Sequence, residues 1–213
     1  LVGSEMCIRD SAKTHEHGMK VVMDMIFNHC GSAHPWLSDL PERSWLNHPD
    51  GDVMTNFRLS TINDPYVSRH DLDKSVNGWF VKDMPDLNQR NPHVLKYLVQ
   101  NSIWWIEYSR IDGIRMDTYP YADMLAMADW IRDVQKEYPG YNIVGECWYG
   151  EAAGTAFWQD RSRLNLKGRT NLPTVMDFPL MLMAPKAFTA TTLPWADGLN
   201  DIYNRLSLDY LYE

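Results

Sequence analysis

A parallel α/β fold is predicted for this 213-residue chain by three observations. Short apolar runs alternate with stretches of helical periodicity, the rhythm of strand-helix-strand units. Two of the runs, IDGIRM before Asp117 and YNIVG before Glu146, end on a carboxylate. With a helix between them, parallel strands would bring both carboxylates out at one rim of the sheet, where strand ends carry catalytic groups. The alternation suits an open sheet and a closed barrel alike, and the chain is shorter than the roughly 250 residues of a complete eight-stranded barrel.

Residues 1–11 have neither the basic opening nor the apolar segment of a signal peptide. EMCIRDS at 5–11 resembles a translated sequencing-adapter end, so this segment is set aside as an assembly scar. Residues 12–17 before Gly18 predict the last turn of a helix with a glycine cap. The HxH at His15 and His17 reads as that helix end and not as a metal pair. A strand over 19–27 delivers Asn28 and His29 to its C-terminal end. Residues 30–91 have no sustained helical period and are repeatedly broken by proline. Structureless loops of this length are rare in compact domains, and the aromatic content is too high for disorder, so a small subdomain over the site is predicted.

Asn91-Pro92 is a helix start, followed by the stripe Leu95, Leu98, Val99, Ile103 and Ile106. After the strand ending at Asp117 comes a helix over 121–138, closed by Pro139-Gly140. The strand ending at Glu146 is followed by a helix over 151–161, a strand near 172–178, and helical spacing through Leu199, Ile202, Leu206 and Tyr210. The organisation expected is therefore 12–29 as helix end and strand, 30–91 as an inserted subdomain, and 92–213 as a continuing run of helices and strands.

The formal charge is −8, and the 20 Lys and Arg residues form no basic run, which excludes a nucleic-acid surface. The longest apolar run, FPLMLMA at 178–184, is far short of the ~20 residues of a membrane span. Three cysteines, Cys7, Cys30 and Cys147, have neither metal-site spacing nor an even framework. Nine Trp and 11 Tyr, many in polar segments, offer ring faces suited to sugars as well as to packing. No feature of the sequence sets an oligomeric state.

Two carboxylates on neighbouring strand ends suit glycoside hydrolysis, one attacking the anomeric carbon and the other protonating the leaving oxygen. Arg115 lies two residues before Asp117, and strand alternation puts both side chains on one face, where the guanidinium would keep Asp117 ionised. Glu146 must begin protonated, and Val144, Cys147 and Trp148 around it would favour that by desolvation. A plain Arg115–Asp117 salt bridge with a solvated Glu146 fits the spacing equally well.

DMIFNH at 24–29, MPDLN at 84–88, GIRMDTYPY at 113–121 and GECW at 145–148 together resemble four short regions of the α-amylase family of glycoside hydrolases, in family order and spacing. NHCG and Trp148 resemble the neopullulanase and cyclomaltodextrinase branch. The resemblance implies a (β/α)8 TIM barrel, of which this chain holds about strands three to six, with a subdomain inserted after strand three. It implies an α-glucan substrate and a retaining double displacement with Asp117 as nucleophile, Glu146 as acid/base and Arg115 orienting the nucleophile. His29 would hydrogen-bond the sugar in the cleaved position, Asp24 would support the site, and Tyr121 and Trp148 would join them in binding substrate.

Asn28 matches a position that binds structural calcium in many amylases; no cofactor is required by the chemistry, and calcium is the one addition the resemblance allows. Pro120 and Tyr121 stand where the family often has Lys-His or Asn-Glu, so linkage preference stays open, and Tyr149 replaces a His common in the branch. The family's third carboxylate, in an Asn-His-Asp motif, does not occur in these residues, so the chain alone is expected to be inactive and, as an open half-barrel, poorly soluble. Starch-harvesting relatives suggest the periplasm or cell envelope, with the cytoplasm as alternative. A non-catalytic glucan-binding or transporter-associated barrel is the competing reading, disfavoured by Asp117, Glu146 and Arg115 occurring together.

Overall fold

The computed structural model describes residues 2–51, 53–165, 170–189 and 198–212. Its centre is a four-stranded parallel sheet in the order β1-β2-β3-β4, and each strand end leads to a loop on the same side. This is the arrangement that the alternation of apolar runs and helices predicts.

Helix α1 (Val2–Glu16) runs without a break across Ser11, so residues 2–11, set aside in the sequence reading, continue the helix that ends at Gly18. That end is a Schellman motif: Gly18 N donates to His15 O (2.9 Å) and Met19 N to Thr14 O (3.2 Å), with Gly18 at φ +71°. β1 is Val22–Met25, shorter than the predicted 19–27. Below it, Asp112 gathers His15 Nε2 (2.8 Å), Lys20 Nζ (2.7 Å) and Val21 N (2.8 Å). His15, expected as a solvated helix end, thus has a carboxylate partner in Asp112.

Residues 30–91 fold as an excursion with two helices that weak periodicity hid, α2 (Leu59–Asn63) and α3 (Arg69–Asn77). Ser68 caps α3 by accepting from Asp71 N at 3.1 Å. Bridges join Leu46 to Leu87 and Met54 to Trp79. Gly78 is required beside the second bridge, since a Cβ there would lie 2.5 Å from Thr55 N and 2.6 Å from Lys74 O. Gln89 Nε2 donates to Phe27 O (2.8 Å), fastening the end of the excursion to the sheet.

Helix α4 (Pro92–Ser109) starts as predicted: Asn91 Oδ1 accepts from His93 N (2.9 Å) and Pro92 takes the first helical position. It crosses to β2 (Gly113–Met116), which pairs with β1 in the register Asp24↔Arg115. Thr118 is left-handed (φ 46°) and Tyr119–Tyr121 form a 3-10 turn, so α5 begins later than predicted, at Met124–Glu137, with Asp123 as its cap. β3 (Asn142–Gly145) pairs with β2.

The remaining predicted elements are shorter than expected: α6 is Ala152–Ala156 and β4 only Thr174–Val175. The apolar run at 178–184 opens α7 (Phe178–Thr189). α8 (Asn200–Leu206) gives way to a 3-10 turn, Asp209–Leu211, where buried Arg205 pairs with Asp177 (2.7 Å) and Asp209 (2.6 Å). The core lies between the sheet and the helices α4 and α5, with Ile114, Met116, Ile143, Trp130 and Ile131 fully buried. Trp130 meets Phe27 edge-on at 5.3 Å and donates to Ser102 Oγ at 2.9 Å, so its polar edge is satisfied.

Candidate active site

Strand register builds the site. Asp24 and Arg115 are direct partners across β1 and β2, and Asp117 and Glu146 follow the last residues of β2 and β3. Asp117 N donates to Met25 O and Glu146 N to Met116 O, both at 2.9 Å, so parallel pairing continues through the two carboxylate positions.

One guanidinium organises the cluster. Arg115 Nη1 donates to both oxygens of Asp24 (2.7 and 2.9 Å) and to Asp117 Oδ1 (2.8 Å), while Nη2 pairs with Glu146 Oε1. Thr118 N, where the chain enters a left-handed turn, donates to Glu146 Oε2 at 2.9 Å. Burial pushes the Glu146 carboxyl above the ordinary glutamate range; the Thr118 N–H and Arg115 oppose this, and Asp117 adds to it. A salt bridge and a raised carboxyl coexist here because desolvation outweighs the single guanidinium, which three carboxylates share.

Asp117, Thr118 and Glu146 open into a cleft of about 620 Å³ lined also by Ile26, His29, Phe57, Leu59, Phe80, Met84, Tyr121 and Trp148, while Arg115 and Asp24 lie outside its lining. Desolvation lowers the His29 pKa, with Asp117 opposing. Trp148, 54% exposed, lines the cleft and stacks on Phe178 with centroids 4.5 Å apart. The structure thus brings together Asp24, Arg115, Asp117 and Glu146 in direct contact, with His29, Tyr121 and Trp148 around the same space. Asn28 does not reach it: it is buried behind His29 and donates from Nδ2 to His29 Nδ1 at 3.3 Å.

Sequence reasoning missed Ile26 and Thr118, beside the strand ends, and four further lining residues, Phe57, Leu59, Phe80 and Met84. These four come from the long excursion, where no period marks an inward face; the GWF triplet shortly before MPDLN was the one available signal. Tyr149, the departure from the branch pattern, is a strut: its hydroxyl bonds Leu59 O (3.2 Å) and Asn63 Oδ1 (3.1 Å) and accepts from Trp158 Nε1 (3.1 Å). It ties α2 of the excursion to the loop that carries Glu146.

Among the described residues, no group of three or more His, Cys, Asp or Glu side chains is placed to hold a metal ion. Asn28 Oδ1 and Asp86 Oδ1 are nevertheless both buried without a hydrogen-bond partner, and an antiparallel bridge joins His29 to Asp86. Two orphaned hard oxygens fit calcium chemistry, although calcium takes six to eight.

Comparison with known proteins accords with this geometry. A family model described as the α-amylase catalytic domain matches residues 4–196. The intracellular maltogenic amylase of Bacillus subtilis (strain 168) is 32% identical over 138 residues, which are 65% of this chain and 22% of that protein. The cyclomaltodextrinase of Geobacillus thermopakistaniensis (strain MAS1) is 31% identical over 138 residues, 64% of this chain and 22% of that one. Among solved structures, an Anoxybacillus α-amylase superposes with a TM-score of 0.75 at 25% identity, over 97% of this chain and 40% of its own. The Geobacillus thermoleovorans α-amylase, complexed with acarbose, does so at 0.75 and 23% identity, over 99% and 41%. The chain spans about a fifth of the length of these curated relatives. The four parallel strands are accordingly part of a TIM barrel, and the chain belongs to the α-amylase catalytic-domain family.

Proposed function

We propose that this chain is part of the catalytic domain of a retaining α-glucan hydrolase. The observation that carries the reading is the Arg115 cluster, in which one guanidinium holds Asp24, Asp117 and Glu146 together while Glu146 keeps an elevated carboxyl pKa. Asp117, bound directly by Arg115, is the nucleophile that attacks the anomeric carbon. Glu146 protonates the departing glycosidic oxygen and then, as carboxylate, takes a proton from the water that hydrolyses the glycosyl-enzyme. Carboxylates sharing one guanidinium are close neighbours, as retention requires, where inverting enzymes separate theirs by roughly 6.5–9.5 Å. His29 and Tyr121 contact the sugar, and Trp148 offers a ring face at the mouth of the cleft.

The relatives named maltogenic amylase and cyclomaltodextrinase support short linear or cyclic α-glucans as substrates. No Asn-His-Asp motif occurs in these 213 residues, so turnover is assigned to the full-length protein. There, Asp117→Asn lowers kcat on maltooligosaccharides by about 10³-fold or more, and NMR of the first-released sugar detects the α anomer. Undiminished turnover by Asp117→Asn, or release of the β anomer, would rule the reading out.

Structural calcium belongs to the same proposal, with Asn28 and Asp86 supplying two of its oxygens. Millimolar calcium then raises Tm by several degrees in the wild type and by much less in Asp86→Asn; equal shifts in both would remove Asp86 from the site. The cell interior is the proposed location, resting on the relative named an intracellular maltogenic amylase. The comparisons lend no support to the envelope location expected from starch-harvesting relatives. No helix among the described residues is long and apolar enough to cross a membrane.

A further inference from the structure

Phe80 is the hub of the aromatic residues that wall the cleft. Its ring stacks on the His29 imidazole, with centroids 5.6 Å apart and planes 19° from parallel. Phe57 meets the same ring edge-on at 5.2 Å and Tyr121 at 5.3 Å. The imidazole is held on a second side by Asn28, whose Nδ2 donates to Nδ1, so the neutral ring carries its proton on Nε2. His29 is 8% exposed, and its backbone is fixed by the bridge to Asp86. With the backbone held, an imidazole still turns about χ1 and χ2; the single 3.3 Å contact at Nδ1 restrains that turn, and a flat ring stacked on the imidazole face opposes it further. Phe80 belongs to the excursion, whereas His29 follows β1 and Tyr121 follows β2, so the stack joins the excursion to the two strand ends.

We propose that Phe80 is a positioning residue for the reaction: clamped by Phe57 and Tyr121, it sets the plane of the His29 imidazole so that Nε2–H meets the sugar in the cleaved position. The inference rests on the glycoside-hydrolase reading of the site. It assigns a task to an excursion residue outside the resemblance motifs, and it makes the aromatic character of position 80, beyond its size, the property that matters.

The test is a double-mutant cycle in the full-length protein, with maltotriose as substrate. Phe80→Leu lowers kcat by about 10- to 100-fold with KM within about threefold, and Phe80→Tyr, which restores a stackable ring, recovers most of the loss. In a His29→Gln background the Phe80→Leu effect disappears, because the residue through which it acts is gone. The ring-current displacement of the His29 imidazole protons in NMR spectra is kept in Phe80→Tyr and lost in Phe80→Leu, a readout independent of turnover. Additive losses in the double variant, a rise in KM alone, or equal loss in the Tyr and Leu variants would overturn the proposal. Asp117→Asn, assayed alongside, separates the two levels: if it retains full turnover, the hydrolase reading fails whatever Phe80 does, and if it is inactive while Phe80 and His29 act additively, the positioning role alone fails. Should Phe80→Leu not fold, Phe80→Tyr and Phe80→Trp against His29→Gln give the same cycle with flat rings of different size.

Discussion

Glu146 is drawn in two directions, towards ionisation by Arg115 and the Thr118 N–H and towards its proton by burial and Asp117, and the proton is favoured. On the hydrolase reading, the alkaline limb of kcat/KM in the full-length protein is therefore expected above the ordinary glutamate value of about 4.3. A carboxyl whose folded pKa is raised contributes its full stability below that unfolded value and loses it as pH rises through the folded one. Glu146→Gln, which cannot ionise, is accordingly expected to keep or slightly raise Tm at pH 7 while kcat falls by about 10²- to 10⁴-fold. A Tm at pH 7 well below wild type would show that the pairing with Arg115 outweighs the desolvation. The contact between Arg115 and Asp117 was legible in the sequence, because a period of two places residues i and i+2 on one face. The bond from the Thr118 N–H to Glu146 was not, since it joins residues 28 apart and forms only when β3 lies beside β2.

Whole elements were legible where a cap and an apolar stripe coincide. Asn91-Pro92 and the stripe behind it specified α4, and Pro139-Gly140 marked the close of α5, whose start slipped to Met124 because the 3-10 turn intervenes. Helix α3 escaped because RHDLDKSVN has almost no apolar period; the Ser68-x-x-Asp71 capping pattern was its only mark. At the opposite end of the strands from the cleft, Asp112 clasps α1, β1 and the entry to β2. Burial opposes its ionisation, but Lys20, the Val21 N–H and His15 hold its carboxyl well below the ordinary range. A depressed carboxyl contributes stability above its unfolded value of about 3.9 and loses it as pH falls through the folded one. Asp112→Asn is thus expected to cost about 1–2 kcal/mol at pH 7, with the gap to wild type closing in denaturant melts below about pH 4. A pH-independent gap would assign the loss to packing.

For the molecule as a whole, the parallel sheet and the identity of the strand-end carboxylates followed from local pattern, while the excursion's contribution to the cleft did not. Its aromatic residues acquire a face only when the bridges of His29 to Asp86 and Met54 to Trp79 fold it back over the sheet. The Arg115 cluster has a comparable dependence on long-range pairing. Asp24 and Arg115 are 91 residues apart in sequence, and Arg115 meets Glu146 only when β3 lies in register beside β2. Contacts of such separation close late, after the entropy of the intervening loops has been overcome. A partly refolded or nascent chain, with α4 and α5 already helical, would carry Asp24, Arg115, Asp117 and Glu146 and yet leave them unassembled. On the hydrolase reading, recovery of the full-length protein's activity therefore marks the final step of its renaturation, behind the return of helical signal.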